Sequence, residues 1–361
     1  MRKNFIKSIL LMLIAIFVLS GCSRSKGYLD KGNTALKNKQ YTKAINFYSS
    51  AINSDKTNKE AMVQKAYVFI ALSRYDEAIA ASETAIKVDK NFGKAYAYTG
   101  LALSKENNYI EALKYLDKSI ELKFKTAETL NERGFDLIQI GRSDLAVEPL
   151  TEAIKMNSKY YEAYINKASA LINMKNFTDA NTSLDEALKL STNKIDFYNK
   201  KGLLYKKASL YDDSIAAFDK AISLDPKNSV LYYNKGITLS NKGSYEEAIT
   251  VFDKAISLDS KFSNAYDAKG LALRSLNRDN DALKEFDNSI KHDNYNASAY
   301  NDKACTLSDM GKLDEALKNI NNAIKLNPLS KDFYTNKSYI LKKMGKTKES
   351  NDALKKAQQL T

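Results

Sequence analysis

One pattern constrains this chain more than any other: a period of 34 residues that runs from Ser25 to the C-terminus without an insertion or deletion. Ten copies start at residues 25, 59, 93, 127, 161, 195, 229, 263, 297 and 331. A period of this length reads as a stacked array, in which each unit is buried mainly against its neighbours, rather than as two or three closed domains. Within the period, position 4 is aromatic in eight copies: Tyr28, Tyr96, Tyr164, Tyr198, Tyr232, Tyr266, Tyr300 and Tyr334. Position 8 is always small, from Gly32 to Ser338, and positions 20 and 27 are Ala or Ser throughout.

These positions describe two antiparallel helices per copy. Small residues at 8, 20 and 27 let the helices approach, while Tyr at 4 and the Phe, Tyr or Leu common at 24 fill the space between them. Gly141, Gly243, Gly311 and Gly345 fall on position 15, where a left-handed residue ends the first helix. Acidic pairs such as Asp76-Glu77, Asp212-Asp213, Glu246-Glu247 and Asp314-Glu315 open the second helix, where carboxylates favour the positive end of its dipole. Pro226 and Pro328 sit in the connection to the next copy. Pro149 is different: it falls inside the second helix of repeat 4, removes a hydrogen bond there and is expected to bend that helix.

The 34-residue pattern resembles the tetratricopeptide repeat (TPR) family over Ser25 to Thr361. The family's favoured Trp at position 4 is replaced by Tyr. The resemblance implies an all-α solenoid of about ten helix-turn-helix repeats in a right-handed superhelix, with first-helix positions 2, 5, 6, 9, 12 and 13 lining a concave groove for protein or peptide partners. Asn131, Asn166, Asn199, Asn234, Asp267, Asn301 and Asn336 fall on positions 5 or 6, as a polar strip whose amides can pair with an extended backbone. Val63, Tyr67, Ile70, Tyr98, Leu101, Phe135 and Ile138 form an apolar section of the lining in repeats 2 to 4, expected to be the principal partner site. Family members that grip a chaperone's C-terminal carboxylate carry Lys at position 5 and Asn at 9; here position 5 is never Lys and position 9 is Asn only at Asn33. The last helix, with Lys348, Lys355, Lys356, Gln358 and Gln359, is expected to cap the array itself.

The N-terminus reads as an address. Arg2, Lys3 and Lys7 precede an apolar run from Ile9 to Leu19, which is about half the length needed to span a bilayer and is followed by Leu19-Ser20-Gly21-Cys22. This resembles a bacterial lipobox, which implies a signal peptide over 1–21, acylation of Cys22, and residues 22–24 as a short tether. The expected location is the extracytoplasmic face of a cell membrane, with the lipid on Cys22 holding the chain.

The formal net charge of +13 prompts a nucleic-acid reading until it is placed. Repeats 2 to 9 hold 38 basic and 38 acidic residues. The surplus lies in the leader, Arg24, repeat 1 (six Lys, two Asp) and repeat 10 (eight Lys, three acids). A neutral groove is no nucleic-acid track, and a basic first repeat beside a lipid suits an anionic membrane. His292 is the sole histidine, and Cys22 and Cys305 are the sole cysteines, so no His/Cys metal cluster is expected. Neither a cofactor motif nor a nucleophile-base motif is present, and the chain is read as a non-enzyme. The expected function is a membrane-anchored interaction scaffold in the cell envelope. The alternative is a binder of cell-wall polymers, or an accessory to an enzyme that builds them.

Overall fold

The computed structural model describes residues 22–360, which are helical throughout, with twenty helices and no strand among them. The expected leader, residues 1–21, lies outside the described residues, and residues 22–24, the expected short tether, are helical and continuous with the first helix. The chain divides after Leu190 into two compact units. The first contains α1 (22–37), α2 (Tyr41–Ser54), α3 (Lys59–Ala71), α4 (Tyr75–Val88), α5 (Gly93–Lys105), α6 (Tyr109–Glu121), α7 (Ala127–Gln139), α8 (Ser143–Met156), α9 (Tyr161–Asn173) and α10 (Phe177–Leu190). The second contains α11 (Lys194–Lys207), α12 (Tyr211–Leu224), α13 (Ser229–Lys242), α14 (Tyr245–Leu258), α15 (Ser263–Ser275), α16 (Asp279–His292), α17 (Ala297–Asp309), α18 (Leu313–Leu326), α19 (Lys331–Lys343) and α20 (Thr347–Gln359). Among the described residues no helix is long and apolar enough to cross a membrane.

Size complementarity between positions 8 and 24 sets the distance between the helices of a pair. A Cβ added at Gly236 would stand 2.5 Å from Phe252 Cε1, and one at Gly270 would stand 2.6 Å from Phe286 Cε1. The same relation joins Gly32 to Tyr48, Gly134 to Leu150 and Gly202 to Phe218. In repeat 2, where position 8 is Ala66, position 24 shrinks to Ser82. The bulky partners are fully buried, so each removes about 1.5–3 kcal/mol worth of apolar surface from water. Acidic pairs do open the second helices, with Asp76 and Glu77 in the first turn of α4 and Glu246 and Glu247 in that of α14.

Position 15 is left-handed in every repeat, not only where it is glycine. Gly141, Gly243, Gly311 and Gly345 have φ between 75° and 91°. Lys39, Ser73, Asn107, Lys175, Ser209 and Asn277 occupy the same position with φ between 55° and 62°. The turn geometry is therefore dictated by closing the helix pair, and side chains accept its strain. Tyr at position 4 fixes the other connection: the hydroxyls of Tyr96, Tyr164, Tyr232 and Tyr266 donate to the carbonyls of Lys90, Ser158, Pro226 and Ser260, six residues earlier, at 3.1–3.4 Å. At Pro149, α8 continues unbroken through the ring, which is buried.

Successive repeats join through positions 21 and 28, where Ile45, Leu113, Ile215 and Leu283 enter the core of the following repeat, as do Ile52 and Ile120. Within each unit, successive first helices touch one another, as in α3 with α5, α5 with α7, α13 with α15 and α15 with α17. Successive second helices make no such close backbone approach among the described residues and meet through side chains, as where the Tyr115 hydroxyl of α6 donates to Glu83 of α4 at 3.4 Å. Each unit is thus curved, with its first helices on the inside.

Candidate functional site

The inner faces of the first helices carry the expected site residues, and the structure sorts them into three groups. Val63, Asn131 and Ile138 are buried and offer no surface to a partner, which corrects the expectation that they line the groove. Val63 joins Met62 and Ala95 in a core between repeats, and Ile138 joins Leu137 and Leu150. Asn131 is consumed by a seam contact, accepting from Asn166 Nδ2 at 2.9 Å.

That contact recurs. Asn234 donates to Asn199 at 3.0 Å, and Asn336 donates to Asn301 at 2.8 Å. In each case position 6 of one repeat donates to position 5 of the repeat before. The asparagine strip expected to read a partner's backbone therefore spends its amides on holding neighbouring repeats in register. Asn301 passes the chain on, donating from Nδ2 to Asp302 Oδ1 at 2.9 Å.

Asp267 breaks the series. It and Asp302 hold positions 5 and 6 of repeats 8 and 9, so two carboxylates meet where other seams have two amides. Asp267 Oδ1 is buried without a hydrogen bond. Burial first, and the Asp302 charge second, push its carboxyl up to about 7. One helical turn from Asp302, burial pushes the Cys305 thiol up to about 11, so it is a neutral apolar group near pH 7. His292 is exposed and stacks on Tyr266 with ring centroids 5.3 Å apart.

The third group remains accessible. Tyr67 is 43% exposed and its ring lies 5.8 Å from that of Tyr98, while Ile70, Tyr98, Leu101 and Phe135 are half-buried. Tyr109 meets Phe135 edge-on at 6.0 Å. Lys94, paired with Glu60, lies 6.0 Å from the Tyr98 ring centroid, and Lys105, paired with Glu132, lies 5.9 Å from that of Phe135. The cations near the rings are neutralised, so the surface is aromatic and close to uncharged. Tyr67, Leu101 and Phe135 all sit on position 9. The second unit repeats the row with Leu203, Ile237, Leu271, Cys305 and Tyr339, of which Leu271 is 39% and Tyr339 54% exposed. The apolar lining is therefore not confined to repeats 2 to 4. Its signal was present in the 34-residue alignment as a column, and a search for one contiguous stretch of chain passes over it.

Tetratricopeptide repeat models match residues 25–58, 161–194, 195–228, 297–328 and 332–361, together with 63–123 and 217–250, well over half of the chain. The chain belongs to the tetratricopeptide repeat family. Among solved structures, a tetratricopeptide repeat protein from Parabacteroides merdae is similar at 17% identity, with a TM-score of 0.52 over 69% of this chain and 98% of that one. The MamA protein of Desulfovibrio magneticus RS-1 is 19% identical over 46% of this chain and 95% of its own, with a TM-score of 0.42. YrrB, a TPR protein described as having an unusual peptide-binding site, is 20% identical over 62% of this chain and 97% of its own, with a TM-score of 0.36. No curated protein matches the chain. The likeness to the Parabacteroides merdae protein agrees with the helix-pair fold of this TPR chain. The position-9 row and the seam amides are features of its own residues.

Proposed function

We propose that this TPR chain is a lipid-anchored adaptor of the bacterial cell envelope that holds a protein partner against the position-9 row of its first helices. The observation that carries the reading is the division of labour inside the groove. The amides at positions 5 and 6 are taken up by the seams, while Tyr67, Phe135, Leu271 and Tyr339 leave apolar surface open at the centre of each inner face. Aromatic rings stack on sugar faces as well as on side chains, but the aliphatic members of the row, Leu101, Leu203, Ile237 and Leu271, suit the apolar side chains of a protein partner. Anchoring rests on the lipobox-like Leu19-Ser20-Gly21-Cys22 and on the six lysines of repeat 1, since one acyl chain with a basic patch makes a stable two-signal attachment. Cys22 is exposed, at the start of the described chain.

The reading is tested by replacing Tyr67 and Phe135 together with Ala. Partners recovered from detergent-solubilised envelopes are lost while the far-ultraviolet dichroism is unchanged. Partners retained by the folded double variant would remove the groove from the proposal, and sedimentation with purified wall polymer would replace it with the carbohydrate reading. Radiolabelled palmitate enters the parent and not Cys22→Ala; equal labelling would remove the anchor.

A further inference from the structure

Position 10 of the first helix faces the preceding repeat. Val68, Ala102, Ala170, Thr238, Ala272, Thr306 and Ile340 are buried there. In repeat 4 the same place is taken by Asp136, with no solvent exposure. Its surroundings fix its protonation by counting hydrogens. Ser104 Oγ, from α5, lies 2.6 Å from Asp136 Oδ1 and 2.7 Å from Glu132 Oε1. A serine hydroxyl has one hydrogen, so it satisfies one of these carboxylates and must accept from the other. Lys105 Nζ lies 2.6 Å from Glu132 Oε1, which marks Glu132 as the ionised partner. The consistent arrangement has Asp136 O–H donating to Ser104 Oγ and Ser104 O–H donating to Glu132. Asp136 Oδ2 has no partner at all, tolerable for the carbonyl oxygen of an acid but costly for a buried anion.

We infer that the seam between repeats 3 and 4 is locked by one proton on Asp136, and that loss of this proton loosens α7 from α5.

The charged groups acting on Asp136 are Glu132 on its own helix and Lys105 on α5. Asp117 of α6 is taken up by Arg133, and Asp144 of α8 by Arg142, in exposed ion pairs. α9 presents Asn166 to Asn131 and Asn173 to Ser143, which are neutral contacts. Burial is the largest influence and pushes the Asp136 carboxyl up to about 7, with Glu132 acting in the same sense and Ser104 and Lys105 against it. The sign follows. Between the ordinary carboxylate range and about pH 7, opening the seam releases a proton that the closed seam keeps, so closure weakens as pH rises and levels off above 7. The lock bears on the groove as well, because Lys105 both holds Glu132 and lies 5.9 Å from the Phe135 ring centroid.

Hydrogen exchange of the full chain at pH 5.5 and 8.5, corrected for intrinsic rates, tests this without a partner. Protection of amides in residues 99–106 and 129–139 is expected to fall by at least about tenfold at the higher pH, and to stay level in Asp136→Asn, which keeps the shape of the neutral acid. Peptides from α12 and α20 serve as the internal reference. An equal fall in parent and variant, or no fall in the parent, would overturn the lock. Should Asp136→Asn fail to fold, Ser104→Ala gives the second reading: it removes the bridging oxygen and lowers protection of α7 at both pH values, and unchanged protection there contradicts the proposal.

Discussion

At Asp267 one atom separates a satisfied seam from a strained one. Asn199 and Asn301 at the equivalent position accept from the next repeat's amide, whereas Asp267 faces Asp302 with Oδ1 unpaired. Because its carboxyl is raised to about 7, the folded chain keeps a proton that the unfolded chain releases, and stability drains away from the ordinary carboxylate range up to about pH 7. Asp267→Asn should therefore stabilise the chain by on the order of 2 kcal/mol at pH 8 and by less than half of that at pH 5. Urea denaturation midpoints at the two pH values decide it, and a gain independent of pH would exclude titration as the cause. Residue-scale detail was also where the sequence was hardest to read. Asn at positions 5 and 6 looks alike whether it faces a ligand or a neighbouring asparagine, and only the offset of one repeat and one position reveals the pairing. Val63 shares the apolar character of Tyr67, but position 5 turns it into the seam, whereas Ile138 is buried although Ile70, at the same position 12 two repeats earlier, is half-buried, so the difference lies in the neighbouring side chains and not in the helical phase.

Helix pairs were the most legible level, because a column of small residues opposite a column of large ones has few physical solutions. Gly236→Ala is expected to destabilise by about 1–3 kcal/mol, since the new methyl lands on Phe252. Adding Phe252→Leu should return part of that loss in thermal unfolding, as repeat 5 already combines Ala168 with Leu184. An additive double variant would mean that the two side chains do not meet. The turn at position 15 was legible only where glycine marks it. Lys175 and Ser209 adopt the same φ near 60° because the pair must close, not because the residue prefers it. Lys175→Gly should accordingly gain about 0.5–1 kcal/mol, and Gly243→Ala should lose about as much, even though a Cβ there meets nothing within 4 Å. Pro149 was expected to bend its helix, and α8 runs on through the buried ring without a break.

For the whole molecule, charge and end-capping argue together. Position 28 is Ile or Leu in repeats 1 to 9 and Gln358 in repeat 10, while position 21 there is Asn351, and both are exposed. The outer face of α20 thus lacks the apolar side chains through which residues such as Ile45 and Leu283 enter the next repeat. Asn351→Ile with Gln358→Ile is expected to produce concentration-dependent association in sedimentation velocity, where the parent shows none. The lysine-rich ends and the balanced middle leave the inner faces free for a neutral partner, which a basic stripe would not. The partner is proposed to sit on position 9 of the first helices. Photo-crosslinking residues placed singly at Tyr67 and Tyr339, with controls at the exposed Ile110 and Tyr295, test it in cells. One partner-sized adduct is expected from Tyr67 or Tyr339 and none from the controls; adducts from the controls alone would place the partner off the position-9 row.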